Sequence, residues 1–205
     1  CQLLLQIVNY NVRGKQYVVA GHLHSLTILS ECLNELMADP ATGDSWKELV
    51  FVKKKEVIDR LKDIPIGQVT LERSVCFIPL HGIDVPFHSR YLLPFVDSFR
   101  KTLQAKIKKS AIAAGISILE NKYIPNVVAE PFQLTRSYFE LVASKTGSSE
   151  LNHILDTWST SSRDKESLAL KLVIELLAYQ FASPVQWIKT QHFFLTNDID
   201  RIIEI

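Results

Sequence analysis

The 205-residue chain is poor in glycine and cysteine, and each shortage excludes a class of protein or site. None of its seven glycines belongs to a Gly-x-Ser-x-Gly sequence, the tight turn that exposes a nucleophilic serine between a strand and a helix. Three scattered cysteines, Cys1, Cys32 and Cys76, are too few for a disulfide framework or a cysteine-rich metal site. We therefore expect no metal ion, and the cysteine usage favours a reducing, cytoplasmic compartment.

The chain also lacks an excess of charge and a long apolar run. Twenty-three basic residues face 22 acidic ones, a net charge of +1 without a segregated basic face, so we expect no nucleic-acid partner. The most apolar helical stretch, residues 168–181, is short and contains Lys171 and Glu175, so we expect no membrane span. A hydrophobic content of 47% suits one domain, or a domain with a small subdomain.

Hydrophobic spacing predicts helices and extended segments that alternate along the chain. The predicted strands or extended segments are residues 3–11, 16–20, 68–80, 123–128 and 201–205, and Gly14 joins the first two into a hairpin. The predicted helices cover about residues 22–37, a stretch ending near Pro65, 94–107, 135–147, 150–158 and 166–181, with a last helix beginning at Pro184 and capped by Ser183. This alternation predicts an α/β fold class.

His88 is the first candidate for chemistry. It follows an apolar segment and a loop, and a helix begins close behind it at Pro94, so it lies where α/β enzymes commonly hold catalytic groups. An imidazole with an ordinary pKa near 6.5 can accept a proton and return it within one cycle near neutral pH. The alternative is a histidine that only makes hydrogen bonds within a loop.

Four segments, in the same order along the chain, carry a resemblance to one family. Residues 85–94, VPFHSRYLLP, are similar to the stretch around the histidine of malonyl-CoA:acyl-carrier-protein acyltransferases. Residues 7–12 and 16–21 resemble the paired strands of the ferredoxin-like subdomain of that family, and residues 183–187, SPVQW, resemble a Pro-Val-x-Trp helix start. Residues 122–132, KYIPNVVAEPF, resemble more closely the malonyl/palmitoyl transferase region of the fungal-type fatty acid synthase β subunit.

The resemblance covers nearly the whole chain and implies a partial acyltransferase fold. Residues 1–80 correspond to part of a ferredoxin-like subdomain with an insertion at about 39–67, and residues 81–205 to the C-terminal part of an α/β-hydrolase-like core. The family's nucleophilic serine, oxyanion-hole glutamine and carboxylate-binding arginine have no counterpart in the sequence. We therefore expect an internal piece of a larger polypeptide, inactive by itself.

The resemblance also implies roles for five residues. His88 is the general base, and the backbone carbonyl of Gln186 orients its imidazole. Phe87 lines the acyl pocket, and Asn9 and Asn11 line the substrate pocket. In an unrelated protein, the same phenylalanine would be ordinary packing and the two asparagines would be polar residues beside a turn.

The implied activity is the transfer of malonyl and long-chain acyl groups between coenzyme A and the acyl carrier protein, for fatty acid biosynthesis. The implied partners are malonyl-CoA, acyl-CoA, the acyl carrier protein, and the α subunit and other β subunits of the synthase. No metal or organic cofactor is expected for this step. Two alternatives remain: the same region of a specialised synthase that supplies secondary metabolism, and a non-catalytic structural segment.

Overall fold

A computed structural model of the chain describes residues 3–40, 45–197, 199, 201 and 203. Its two strands are β1 Leu5–Val12 and β2 Gln16–Gly21. Its helices are α1 Leu23–Ala38, α2 Trp46–Leu61, α3 Val96–Lys106, α4 Lys109–Leu119, α5 Arg136–Thr146, α6 Ser149–Asp156, α7 Trp158–Ser161, α8 Lys165–Gln180 and α9 Trp187–Thr196. Short 3₁₀ helices cover Ile66–Gln68 and Arg90–Phe95.

The contacts divide the chain into two compact units. The first comprises Cys1–Gln6 with Val19–Pro86, and the second comprises Ile7–Val18 with Phe87–Ile205. The domain boundary at residue 80 and the insertion at about 39–67 remain predictions.

The predicted hairpin around Gly14 is confirmed. Strands β1 and β2 form a two-stranded sheet, and the turn between them closes with a 3.1 Å hydrogen bond from the Lys15 N–H to the Val12 carbonyl. Gly14 has a φ of +67°, a left-handed conformation that glycine adopts without the steric cost of a side chain. This sheet and the helices give a mixed, mainly helical architecture that is compatible with the α/β class.

Helices α1 and α2 pack against each other in the first unit. Cys32 of α1 and Val57 of α2 are buried, as the apolar spacing of the two segments requires. The Lys53 ammonium lies 3.2 Å from the Glu35 carboxylate and adds a polar link between the two helices. The predicted extended segment at 68–80 forms no strand among the described residues, and Val75 within it is 92% exposed.

Helices α5, α6 and α8 form most of the core of the second unit. Its fully buried side chains include Phe132, Phe139, Val142, Leu151, Ala169, Leu172 and Leu176. The predicted N-cap of α5 is confirmed, since the Thr135 hydroxyl accepts a hydrogen bond from the Tyr138 N–H. The predicted stop is also confirmed, because Gly147 ends α5 in a left-handed conformation with a φ of +67°.

Several predictions about the second unit are wrong. Residues 123–128 form no strand, and 126–128 form a turn, because Pro125 has no N–H and its carbonyl accepts bonds from Val128 and Ala129. The last helix begins at Trp187 with Gln186 as its N-cap, so neither Ser183 nor Pro184 starts it. The helix predicted at 150–158 is divided in two, since α6 ends at Asp156 and α7 covers Trp158–Ser161. The predicted strand at 201–205 lies largely outside the described residues, and residues 201 and 203 form no strand.

Candidate functional site

His88 has a backbone conformation that is rare for a residue with a side chain. Its φ is +63°, and its N–H donates a 2.6 Å hydrogen bond to the carbonyl of Phe181. A non-glycine residue in this left-handed region costs on the order of 1–3 kcal/mol, so the surrounding structure must hold it there. Such strained residues cluster at functional sites.

The His88 ring is held by a second carbonyl from the same helix end. Its Nδ1 atom lies 2.9 Å from the backbone oxygen of Gln180. A carbonyl oxygen can only accept a hydrogen bond, so Nδ1 carries the hydrogen and the neutral ring keeps its lone pair on Nε2. Nε2 is therefore the atom that can take a proton from a substrate or nucleophile.

The end of helix α8 explains why two carbonyls are available to His88. The last four carbonyls of an α-helix have no partner within the helix, and Gln180 and Phe181 are the last helical residue and the C-cap of α8. The Gln180 carbonyl therefore can accept a hydrogen bond from the His88 ring, and the Phe181 carbonyl one from the His88 N–H.

Packing against α8 places the His88 segment at these carbonyls. Leu92 and Val96, which follow His88 in the chain, form a buried cluster with Ala178 and Ala182 at the end of α8. Small side chains on α8 allow the close approach. The Phe99 and Phe181 rings meet edge to face with their centroids 5.3 Å apart, which adds a directional contact beside the site.

Gln186 does not occupy the place that the sequence predicted for it. Its backbone carbonyl accepts hydrogen bonds from the N–H groups of Lys189, at 3.0 Å, and Thr190, at 3.1 Å. As the N-cap of α9, Gln186 uses its carbonyl for the first bonds of that helix, whereas the carbonyl bonded to the His88 ring belongs to Gln180. The predicted end of a helix at residue 181 could have indicated this contact. The last carbonyls of a helix lack partners within it and need hydrogen-bond donors from elsewhere in the chain.

Asn9 and Asn11 lie where β1 meets the chain before α9. Asn9 forms an isolated parallel bridge with Val185, in which the Tyr10 N–H bonds to the Val185 carbonyl at 2.9 Å. The Asn11 carbonyl accepts a 3.2 Å bond from the Gln191 side chain. Both asparagines are half-buried, and the bonds described here connect their strand with residues 185–191 and not with His88. Their role in a substrate pocket stays a prediction.

Phe87 presents apolar surface directly before His88. Its side chain is 51% exposed, and Tyr91 and Phe95 in the following 3₁₀ helix are also exposed. Ser89, on the other side of His88, is fully buried. The exposed ring is available to an apolar ligand, which is compatible with the predicted role of Phe87, and that role stays a prediction.

An ion pair that the sequence analysis did not assign joins the buried Glu175 of α8 to Arg100 of α3. Glu175 is 1% exposed, and its carboxylate accepts hydrogen bonds from Arg100 Nε and Nη2 and, at 2.6 Å, from the Ser148 hydroxyl. The bonds to Glu175 hold the pKa of the Arg100 guanidinium above its usual value. The sequence did contain a signal for this pair. Glu175 is an acidic residue on a strongly apolar helix, and a buried carboxylate needs a hydrogen-bonding or charged partner.

Other sites for ligands are sparse in the described part of the chain. No three His, Cys, Asp or Glu side chains there converge as a metal site. A cavity of about 270 Å³ in the first unit is lined by Leu3, Gly21, His22, Leu23, His24 and Ile66. No helix within the described ranges has both the length and the apolar character that a membrane crossing requires.

Comparison with known proteins relates the chain to one group of enzymes. No family model matches it. Over 202 residues, 98% of its length, it is 41% identical to fatty acid synthase 2 of Mycosarcoma maydis. Over 76% of its length it is 39% identical to the fatty acid synthase subunit β of Schizosaccharomyces pombe, and over the same share 37% identical to that of Saccharomyces cerevisiae. It spans only 5–8% of the length of these relatives, so it is similar to a short segment of each.

Proposed function

We propose that the chain is part of the malonyl/palmitoyl transferase region of a fungal-type fatty acid synthase β subunit and serves fatty acid biosynthesis. The similarity to fungal fatty acid synthase β subunits supports the wider assignment. The bond from His88 Nδ1 to the Gln180 carbonyl supports the more specific assignment to the transferase region, because it leaves Nε2 as a proton acceptor. The sequence motifs around residues 85–94 and 122–132 point to the same region.

In the proposed reaction, His88 works on a serine from a part of the polypeptide outside this chain. Nε2 takes the proton of the serine hydroxyl while the oxygen attacks the thioester carbonyl of malonyl-CoA or a long-chain acyl-CoA. The tetrahedral intermediate collapses, and the departing coenzyme A thiolate receives the proton from the imidazolium. The thiol of the acyl carrier protein then attacks the acyl-serine by the same proton transfers in the opposite direction, and the serine is regenerated.

The Gln180 and Phe181 carbonyls keep His88 in the tautomer and position that this cycle needs. The imidazolium formed between the two proton transfers keeps its Nδ1 hydrogen bond to the Gln180 carbonyl. The steps balance with proton transfer and acyl exchange alone, so the proposal requires no metal or organic cofactor. The 205-residue chain by itself is expected to be inactive, because the nucleophile is supplied from elsewhere.

The proposal keeps the predicted substrate contacts and partners. Phe87 contacts the acyl chain, and Asn9 and Asn11 line the pocket near the start of α9. The partners are malonyl-CoA, acyl-CoA, the acyl carrier protein, and the α subunit and other β subunits of a cytoplasmic synthase. A specialised synthase would use the same chemistry.

A non-catalytic segment is the competing function, and one observation weighs against it. The left-handed backbone of His88 costs free energy, and residues strained in this way cluster at functional sites.

The direct experiment measures covalent loading of the full-length synthase with radiolabelled malonyl-CoA in a single turnover. His88→Ala should lower the loading rate by about 10⁴-fold or more, the loss that follows removal of the base of a catalytic triad. His153→Ala, a change at an exposed histidine of α6, is the matched control and should load normally. Near-normal loading by His88→Ala would reject the proposed function.

A further inference from the structure

The ion pair between Arg100 and Glu175 joins the two helices that hold His88. Arg100 belongs to α3, which follows the His88 segment, and Glu175 belongs to α8, which supplies the two carbonyls. Glu175 receives two bonds from the guanidinium, with Nη2 at 3.1 Å, so the pairing is bidentate. Asp97 binds the outer side of the same guanidinium, which also lies 5.7 Å from the centre of the Tyr179 ring.

Stability alone gives little reason for such a pair. Desolvation of two charges cancels much of their attraction, and apolar replacements of similar volume are often neutral or stabilising. The pair instead fixes the relative position of the two helices, because a bidentate arginine and carboxylate meet in only one relative position. The neighbouring contacts among Leu92, Val96, Ala178 and Ala182 are apolar and non-directional, and the edge-to-face contact of Phe99 with Phe181 is weaker than a charged pair.

We propose that Arg100 and Glu175 form a positioning pair for His88, which sets the register of α3 on α8 and thereby places the imidazole on the Gln180 carbonyl. Glu175 lies five residues before Gln180, about 8 Å along the helix. A shift of α3 would move residues 88–95 with it and lengthen the bond to His88 Nδ1. The role rests on the proposed function, since it concerns the geometry of the base in acyl transfer.

The test compares two variants of the full-length synthase in malonyl transfer. Arg100→Lys keeps the positive charge and removes the bidentate fork, and the double variant Arg100→Met with Glu175→Leu replaces the pair with apolar side chains. Arg136→Lys is the matched control, because Arg136 and Glu140 form an exposed pair on α5 with a 3.0 Å bond. The measurements are kcat, KM for malonyl-CoA, the pH profile of kcat/KM and the melting temperature.

We expect kcat to fall by about 10- to 100-fold in both variants, the cost of a misplacement near 1 Å, with KM changed less than about threefold. The pH profile of kcat/KM should change in both variants, because the bond from His88 Nδ1 to the Gln180 carbonyl is weakened. The double variant should melt no lower than the wild type, and the control should match the wild type throughout.

Three other outcomes would each contradict either the positioning role or the proposed function. A double variant, or Arg100→Lys, with wild-type kcat and pH profile would overturn the positioning role. Loss of kcat that only parallels a lower melting temperature, with an unchanged pH profile in both variants, would show a structural role and also overturn it. If His88→Ala transfers malonyl normally, the proposed function fails instead, whatever the Arg100 variants do.

Discussion

His88 and Gln180 lie 92 residues apart in the sequence and are joined by a 2.9 Å hydrogen bond from Nδ1 to the backbone carbonyl. The same helix end holds the His88 backbone, through the bond from its N–H to the Phe181 carbonyl. Ring and backbone are therefore fixed by main-chain atoms of α8. The orientation of the base depends on where that helix ends and not on the side chain of Gln180.

Ala182→Pro in the full-length synthase tests this dependence on the helix end. Proline removes the Ala182 N–H, which bonds to the Tyr179 carbonyl at 3.1 Å, and disfavours the helical conformation of Phe181 before it. Both carbonyls that hold His88 should move, so the single-turnover loading rate with malonyl-CoA should fall by about 100-fold.

Two control substitutions lie a few residues after Ala182 in the sequence. Pro184→Gly and Gln186→Ala alter the start of α9 and leave the end of α8 unchanged, so both should load malonyl within about threefold of the wild-type rate. A larger loss in Pro184→Gly than in Ala182→Pro would show that the α9 start, and not the α8 end, orients the base.

The sequence identified His88 but assigned its partner carbonyl to Gln186 because the motif around residues 183–187 lies close to the right region. A local pattern cannot say which of two nearby carbonyls faces a residue far away in the chain. Helix bonding decides it: Gln186 uses its carbonyl inside α9, whereas the carbonyls of residues 180 and 181 end α8 without helical partners.

Gly147→Ala should destabilise the end of α5. Gly147 has a φ of +67° with no atom within 4 Å of an added Cβ, so the cost comes from the backbone alone, about 1–2 kcal/mol. Gly115→Ala is the matched control, since Gly115 lies inside α4 with equal space, and alanine there should stabilise the helix by about 0.5–1 kcal/mol.

Hydrogen exchange in the full-length synthase, followed by mass spectrometry of peptides, separates the two glycines. Peptides of α5 should exchange faster in Gly147→Ala, and those of α4 should exchange more slowly in Gly115→Ala. Equal effects of the two changes would mean that the left-handed conformation of Gly147 is not what ends α5.

The Thr135 cap, the Gly147 stop and the Gly14 turn followed from the sequence because a few adjacent residues determine them, whereas the cap predicted at Ser183 was wrong. A strand depends on pairing with another strand, which its own sequence does not show, and the strand prediction at 123–128 failed. Val127 and Val128 favour a strand by type, but Pro125 begins a turn that buries both valines against the helices. The partner of the buried Glu175 could not be predicted either, since Arg100 lies 75 residues away in the sequence.

Tyr138 should give the second unit a stability that declines in strong alkali. Burial raises the pKa of its phenol, and the hydroxyl donates a 3.2 Å bond to the Glu130 carbonyl. Because the folded pKa lies above the unfolded value of about 10, this contribution is complete below about pH 10 and is lost as the pH rises further.

Tyr138→Phe removes both the bond and the ionisation. At pH 7.5 the variant should be less stable by about 1 kcal/mol, and near pH 11 the difference should shrink or reverse. Pulse proteolysis in urea, comparing both full-length proteins at each pH, measures it. A difference that stays constant across this range would show that the Tyr138 phenol ionises equally in both states.

The central claim is that His88 Nε2 is the base of acyl transfer, and chemical rescue tests it most directly. In His88→Gly of the full-length synthase, glycine adopts the φ of +63° without strain and leaves the space of the imidazole empty. Single-turnover malonyl loading should fall by about 10⁴-fold or more, and added imidazole should restore part of it with a rate that rises with the fraction of neutral imidazole. Wild-type loading by His88→Gly without imidazole would contradict the account.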